Sequence, residues 1–464
     1  MRKESKEVVV VIDGGGRGAA LVGGDGIGGY AASPHVGEIH VIPGNDLAGF
    51  NTDKPVYTYP GLKTTDVAAI EQLCQEKNAS LVDVAQDNAI EAGVVDALMR
   101  LGIPTVGPTR AAGRIESDKY FNREFGTRHN IPQARYKLCA TIGEAVDYFN
   151  DELGGEKAFW KYRFLAAGKG AIPIYNARQI RTTTREFRKA YGNKARTFLL
   201  EEWIEGDDGT SGEEYSFFVV SDGKIFKRLG VAQDHKRAES GDRGPNTGGM
   251  GCSTWPLVLN EELTQATEDE IVAPTIAGLD EEGYPYKGVL YSGVMAVTSN
   301  GKKKPKEVEK NARHGDPETQ VIIPGLQIDL FELGMAIAQG DISRMDIQSD
   351  GLSRVAIAGA ARGYPGDYSA VRGNEIFNLD AVRNLNGVHL IGAAIKVQDG
   401  RYLADGGRLF YIVGEGANVI EARARALYAM ALIHIEGNNL HYRDDIGWRD
   451  VERLHREGII YARS

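Results

Sequence analysis

The chain is short of cysteine: only Cys74, Cys139 and Cys252 occur in 464 residues, and no two of them form a C-x-x-C pair. That argues against a disulfide framework and for a reducing, cytoplasmic setting. Long apolar runs are lacking too. Val8-Val9-Val10-Val11-Ile12 follows a charged start but is far too short for a signal segment or a membrane span, so no membrane partner is expected. Positive charge is in deficit. A net charge of −10 speaks against a nucleic-acid partner held through phosphates, although local lysines and arginines still suit small anionic substrates. The histidines show no metal-binding spacing, and neither an internal repeat nor a low-complexity segment is present. The phosphate-binding pattern G-x-x-x-x-G-K-[ST] is absent as well.

What is present is an ordinary globular composition, with 25% charged and 42% hydrophobic residues, in a chain long enough for about three or four domains. Residues 8–12 read as a buried parallel strand, followed by a glycine loop, and residues 39–42 as the next strand, stopped by Pro43-Gly44-Asn45. Residues 65–77 and 89–101 read as helices, and 80–84 and 103–106 as strands. This alternation predicts an α/β, doubly wound parallel sheet over residues 1–114. A helix-rich piece over 115–135 leads into a small α+β unit at 136–199. The chain then returns to a larger unit over 200–338. A last α+β region covers 339–464, with a long helix-like run at 419–433.

Several short patterns carry chemistry. Glu309-Lys310-Asn311 puts a carboxylate and an amide oxygen at i and i+2, on one face of an extended segment. Such a pair suits a hard divalent cation shared with nucleotide phosphates. Arg313, Asp316 and Glu318 follow, and Gly315-Asp316-Pro317 makes a turn that would fold them toward the same pocket. Ala166-Ala167-Gly168-Lys169-Gly170 is a glycine-flanked lysine, able to cover phosphates. Asp13-Gly14-Gly15-Gly16-Arg17 is a glycine turn after the first strand. The acidic residue that a dinucleotide site needs after the second strand is missing, and Pro43-Gly44-Asn45 stands there, which favours a sugar phosphate over NAD. Each pattern alone also has a bland reading as a solvated strand end or surface turn. His235 is chemically a candidate acid or base, but reads better as organising its own loop.

Two longer blocks change the balance: Gln233-Asp234-His235-Lys236-Arg237 with Gly244-Pro245-Asn246-Thr247-Gly248-Gly249-Met250-Gly251, and the run from Glu309 to Gln320. With Asp13 to Arg17, Pro43-Gly44-Asn45 and Gly406-Gly407-Arg408, they resemble the glycinamide ribonucleotide synthetase (phosphoribosylamine–glycine ligase) family of the ATP-grasp superfamily, over nearly the whole chain. The resemblance implies an ATP-grasp fold. Residues 115–135 and 200–338 would form its central part, 136–199 its small lid, 1–114 the N-terminal domain and 339–464 the C-terminal domain. It implies ligation of glycine to 5-phosphoribosylamine through a glycyl phosphate, with ATP and Mg2+ or Mn2+, by a monomer. Carried over residue by residue, it assigns ATP to Lys119, Lys161, Gly168, Lys169, Gly170, Glu201, Glu202 and Glu214. The phosphoribosylamine site would comprise Gly14, Gly15, Gly16, Arg17, Pro43, Gly44, Asn45, Asp87, Lys236 and Asn246. Glu309 and Asn311 would bind the metal, and Arg313, Asp316 and Asp234 would act in catalysis.

The chain also departs from the family pattern. Tyr162, Arg163 and Phe164 replace a small residue, an acid and a glycine. Lys310 and His314 replace aromatics, and Gly18 replaces a glutamate. These changes predict hindered closure of the lysine loop and a costly buried lysine. Two other classes therefore stay open: an ATP-grasp ligase with a different amine acceptor, and a nucleotide-binding homologue without turnover.

Overall fold

The computed structural model describes residues 6–166 and 168–457; Ala167 of the lysine loop and the last residues of the C-terminal region lie outside them. The first sheet is parallel. Its five strands run in the order Val56–Thr58, Val36–Pro43, Glu7–Asp13, Leu81–Val84, Thr105–Val106. The valine run explains its centre. Val9 and Val11 point into one hydrophobic cluster and Val10 and Ile12 into another, because successive strand residues face opposite sides and helices cover both. Strand order reverses between Glu7–Asp13 and its two neighbours, so the crevice at the ends of Glu7–Asp13 and Leu81–Val84 is where such sheets bind ligands. The single helix expected over 89–101 is two, Asp87–Ala92 and Val94–Arg100, broken at Gly93, whose φ of +89° takes the left-handed region.

A nine-stranded, largely antiparallel sheet forms the body. It runs Lys302–Asn311, Lys287–Ser299, Glu213–Asp222, Phe226–Asp234, Gly251–Thr254, Ser353–Ala361, Arg408–Gly416, Val388–Gly392, and Leu440–His441 pairs beside Ser353–Ala361. The strands after residue 339 thus continue the sheet of the central unit through the pairing of Gly251–Thr254 with Ser353–Ala361. Sequence periodicity carries no sign of this, since strand partners are chosen in three dimensions. The lid is a four-stranded sheet, Tyr136–Cys139, Phe198–Glu202, Ala158–Tyr162, Ala171–Ile174, backed by the helices Ile142–Asp151 and Ala177–Tyr191 around Trp160, Tyr162 and Phe198. Cys74, Cys139 and Cys252 are buried free thiols. No described helix is long and apolar enough to cross a membrane.

Candidate active site

Glu309 and Asn311 end the strand Lys302–Asn311, paired with Gly293 and Tyr291 of Lys287–Ser299. Between Glu309 and Glu307 the register slips by one residue, leaving Val308 as a bulge. A bulge reverses the alternation of faces, so Glu307 lies on the side of Lys310 rather than with Glu309 and Asn311. Lys310 is consequently not a lone buried charge. It forms an ion pair with Glu307, both fully buried, and Glu307 also accepts from Asn122 Nδ2 (2.7 Å). Glu307 gives the buried ammonium a partner, while burial and then the nearby Arg123 guanidinium lower the Lys310 pKa. On the other face, the Glu309 carboxylate lies 3.6 Å from Lys236 Nζ. Burial would raise its pKa, but Lys236, Lys161, Lys119 and Arg313 prevail and hold it down at about 2. Lys236 also pairs with Glu214, so one ammonium links the residue assigned to ATP with the residue assigned to the metal.

The loop after the strand turns back as the Gly-Asp-Pro sequence predicted. Arg313 donates to Asn311 Oδ1 (3.2 Å) and lies 3.1 Å from Glu116. Burial opposes its charge, but Glu116 and Asp87 outweigh it and raise its pKa. Asp316 has both oxygens engaged, accepting from Gln320 (2.6 Å), Tyr411 (2.9 Å) and Arg408 (2.8 Å). It therefore anchors Arg408 and the loop. Asp234 differs: its Oδ1 is buried without a partner, and burial together with Glu318 pushes its pKa well up. Glu318, which accepts from Ser216 Oγ (3.0 Å), is likewise raised, first by burial. Asn246 sits across the hairpin from Arg237, beside Lys236, and Thr247 donates to the Lys236 carbonyl (2.7 Å).

The lysines come from three elements. Lys119 begins the helix Lys119–Arg128, and burial, the largest influence, lowers its pKa. Lys161 lies on a lid strand, 2.7 Å from Glu201 and donating to the Val308 carbonyl (3.2 Å). Arg123 and Lys161 overcome burial and hold Glu201 at about 2. Glu202 instead pairs outward with Arg135 and lies 3.8 Å from Lys306. Lys169 is exposed at the loop tip. Gly168, at φ +76°, lies so close to the Thr247–Gly248 backbone that an added Cβ would be 3.6 Å from the Thr247 carbonyl. Gly170 accepts from Tyr162 N (2.7 Å).

The three departures preceding this loop are each accommodated. Arg163 forks onto Asp118 (2.8 and 2.7 Å) and does not face the two lysines. Tyr162 is buried against Phe187 and Tyr191, and Phe164 packs edge-on to Tyr162. The aromatics fill the lid core, and the loop already reaches Thr247.

Sequence-distant motifs of the first domain meet in the crevice. An added Cβ on Gly14 would be 2.9 Å from Pro43 Cγ, and Gly44 donates to the Asp13 carbonyl (3.1 Å). Asp13 itself accepts from the N–H groups of Gly15 (2.6 Å), a donor expected to serve a phosphate, and of Gly18 (3.1 Å). Gly18 is needed there, since a Cβ would strike Asp13 at 2.8 Å. Gly16 is closed in by Tyr411. Arg17 spends its guanidinium on Asp13 (2.7 Å), Gln86 (2.6 Å) and the His314 carbonyl (3.0 Å), so it braces the loop rather than projecting toward a ligand, contrary to expectation. Asn45 accepts from Leu47 N (3.0 Å). Asp87 opens the helix Asp87–Ala92 and interacts with Arg313. His314 lies 3.5 Å from Asp83, which accepts from Tyr30 (2.8 Å). His235, its pKa lowered to about 3 chiefly by burial, accepts from Gly447 N (3.2 Å) and so organises its loop as expected.

Sequence reasoning missed Glu116 and Arg123, and it gave no role to Glu318, which it had brought to the pocket, or to Arg408. Arg408 had a signal in Gly406-Gly407-Arg408, and Glu318 in its place after Asp316. Glu116 and Arg123 lie in ordinary helix sequence and gain meaning only from the strand they touch.

The chain matches the three domains of the phosphoribosylglycinamide synthetase family: the N domain over residues 7–116, the ATP-grasp (A) domain over 117–319 and the C domain over 354–449. It is 35% identical over 454 residues to a phosphoribosylamine–glycine ligase of Brucella melitensis, covering 96% of this chain and 98% of that protein. It is also 35% identical over 460 residues to the trifunctional purine biosynthetic protein adenosine-3 of Bos taurus, covering 98% of this chain but only 43% of that protein. A crystal structure of the phosphoribosylamine–glycine ligase of Thermotoga maritima superposes with a TM-score of 0.74 at 25% identity, covering 95% of this chain and all of that one. With its three domains matched in order and its full-length bacterial relatives aligned end to end, the chain belongs to the phosphoribosylglycinamide synthetase (phosphoribosylamine–glycine ligase) family.

Proposed function

We propose that the chain joins glycine to 5-phosphoribosylamine at the expense of ATP, giving glycinamide ribonucleotide, ADP and phosphate. The observation that carries this reading is the meeting of Glu309, Asn311 and Arg313 with the lysines 119, 161 and 236, beside the crevice of the first domain. Glu309 and Asn311 fit a hard divalent cation, Mg2+ or Mn2+. Both carry oxygens of the kind such a cation takes, and Glu309 is held ionised; Asn311 Oδ1 accepts from Arg313 (3.2 Å) and would turn from it to the cation. Among the described residues no group of three His, Cys, Asp or Glu side chains is placed to hold a metal, and Glu309 and Asn311 would hold the cation together with the nucleotide. When bound, the cation screens the phosphates and withdraws charge from the transferring phosphoryl group.

Lys119 and Lys161 neutralise the nucleotide phosphates from below, and Lys169 covers them from the lid. Arg313, fixed by Glu116, steadies the glycine carboxylate as its oxygen attacks the γ-phosphorus and ADP departs. The phosphoribosylamine nitrogen then attacks the acyl carbon and phosphate leaves. Asp234, a carboxyl with a raised pKa and a free oxygen, is the group we assign to accept the amine proton. Gly14 to Gly16 and Pro43 to Asn45 form the sugar-phosphate wall. The substrates are small molecules, the chain acts as a monomer, and its free thiols suit the cytoplasm. The test is ADP release with Mg2+, glycine and freshly made phosphoribosylamine, omitting each in turn. Release that persists without glycine or without the amine would overturn the reading.

A further inference from the structure

Beneath the cleft, five buried charges form a ladder, of which Arg123, Glu307 and Lys310 have no part in the reaction described above. Arg123, on the helix Lys119–Arg128, makes a bidentate pair with Glu201 (2.9 Å to each oxygen) and lies 3.4 Å from Glu307. Its Nη2 donates to the Val308 carbonyl (2.6 Å). Lys161 closes the other side, bonded to Glu201 and to that same carbonyl. Lys310 closes the far end on Glu307. The Val308 carbonyl is thus the junction. It belongs to the bulge that turns Glu309 and Asn311 toward the cleft, and it accepts from both the lid lysine and Arg123.

We propose that Arg123 is a positioning residue for the phosphoryl-transfer step. It fixes the Val308 bulge, and through it sets the direction of Glu309 and Asn311 and the place of Lys161. The proposal rests on the functional reading above in taking those three residues as the ligands of the metal–nucleotide pair. A bulge is a single-residue dislocation, and one residue of slippage would turn Glu309 and Asn311 to the opposite face. Something must pin it. Among the described residues, Arg123 is the one side chain that grips the bulge carbonyl, Glu201 of the strand Phe198–Glu202 and Glu307 of the strand Lys302–Asn311 together. A lysine in its place would carry the charge but lacks the fork needed for several acceptors at once. If Arg123 is lost, each glutamate still keeps a lysine, Glu201 with Lys161 and Glu307 with Lys310, so the fold has the means to survive.

The test uses the full-length protein and the variants Arg123→Met, Arg123→Lys and Arg128→Met. The last is a control on the same helix, where Arg128 pairs with Glu282 at the surface. Two direct readouts are Mn2+ binding in the presence of ADP, followed by electron paramagnetic resonance, and ADP affinity without metal. Steady-state ADP release adds the KM for glycine. We expect Arg123→Met to weaken Mn2+ binding about tenfold or more, a change of roughly 1.4 kcal/mol. ADP affinity should weaken less, and the KM for glycine should stay unchanged. Arg123→Lys should fall between, and Arg128→Met should match the parent. Mn2+ affinity unchanged in folded Arg123→Met, or in Arg123→Lys if the methionine variant does not fold, would overturn the proposal. Equal losses in Mn2+ affinity, ADP affinity and glycine KM would also overturn it, because that is the mark of a general structural role. Failure of the functional reading is seen separately, as parent protein that binds Mn2+ and ADP yet releases no ADP with glycine and the amine.

Discussion

The buried pair of Lys310 and Glu307 offers the sharpest energetic test. Both side chains are fully buried and face each other across the bulge. Removing one partner of such a pair leaves an uncompensated charge and costs about 3–5 kcal/mol. In Lys310→Met, Glu307 retains Asn122 Nδ2 (2.7 Å) and Arg123 (3.4 Å), so the lower end applies. We expect a loss of about 3 kcal/mol, which for a unit of this size is about 6–12 °C in melting temperature. Glu307→Leu alone should cost a similar amount, because it strands the Lys310 ammonium with only the Asn122 oxygen (3.4 Å). The double variant Glu307→Leu with Lys310→Met removes both charges together. Arg123 keeps its two bonds to Glu201 and its bond to Gln133 (3.2 Å) while losing the long contact with Glu307, and the Asn122 amide loses its acceptor, at a cost of roughly 1 kcal/mol. The double variant should therefore be within about 1 kcal/mol of the parent and far more stable than either single one. The assay is urea unfolding followed by fluorescence, with calorimetry on all four proteins, read as a double-mutant cycle. Effects additive within about 0.5 kcal/mol would refute the reasoning and show that the two charges do not stabilise each other.

Three further outcomes are expected. Glu309→Gln keeps the size and removes the charge, and should raise the metal concentration for half-maximal ADP release at least tenfold, roughly 1.4 kcal/mol, while leaving the melting temperature near that of the parent; an unchanged metal titration removes Glu309 from the metal site. Arg163→Asp restores an acid at a position where the family has one, but it would break the fork to Asp118 and set two carboxylates together, so it should lower turnover and cost roughly 1–2 kcal/mol in stability; turnover at or above the parent value would show that the fork is dispensable. His235 is held neutral with a pKa of about 3 against an ordinary 6.5, so the unfolded chain takes up its proton first. Its contribution is complete above pH 6.5 and is lost as pH falls from 6.5 toward 3, at up to about 1.4 kcal/mol per pH unit. His235→Gln, which keeps an acceptor for Gly447 N–H, should flatten stability between pH 6.5 and 5, and an equal slope in parent and variant would contradict this.

The sequence by itself determined the first domain's sheet, because a run of five apolar residues feeds both faces of a parallel strand. It also determined the pairing of Glu309 with Asn311, because alternation along a strand is local. The return of the loop at Gly315 to Pro317 was equally legible, since it depends on neighbours in the chain, whereas the partner of His235, Gly447 N–H, lies 212 residues away. Lys310 read as a liability because alternation without a bulge gives it no partner. The bulge at Val308 has no sequence mark, and it alone brings Glu307 round to Lys310. Arg17 read as a charge for the substrate and Arg163 as a charge set against the lysines of the loop, yet the Asp13–Gln86–His314 set and Asp118 claim them. A guanidinium's partners are selected by which segments meet, and for Arg17 one of them is 297 residues away. The same holds for the sheet that joins the central unit to the C-terminal region, where Gly251–Thr254 pairs with Ser353–Ala361. Local rules fix which way a side chain points from its own backbone, and only the packed chain decides what it finds there.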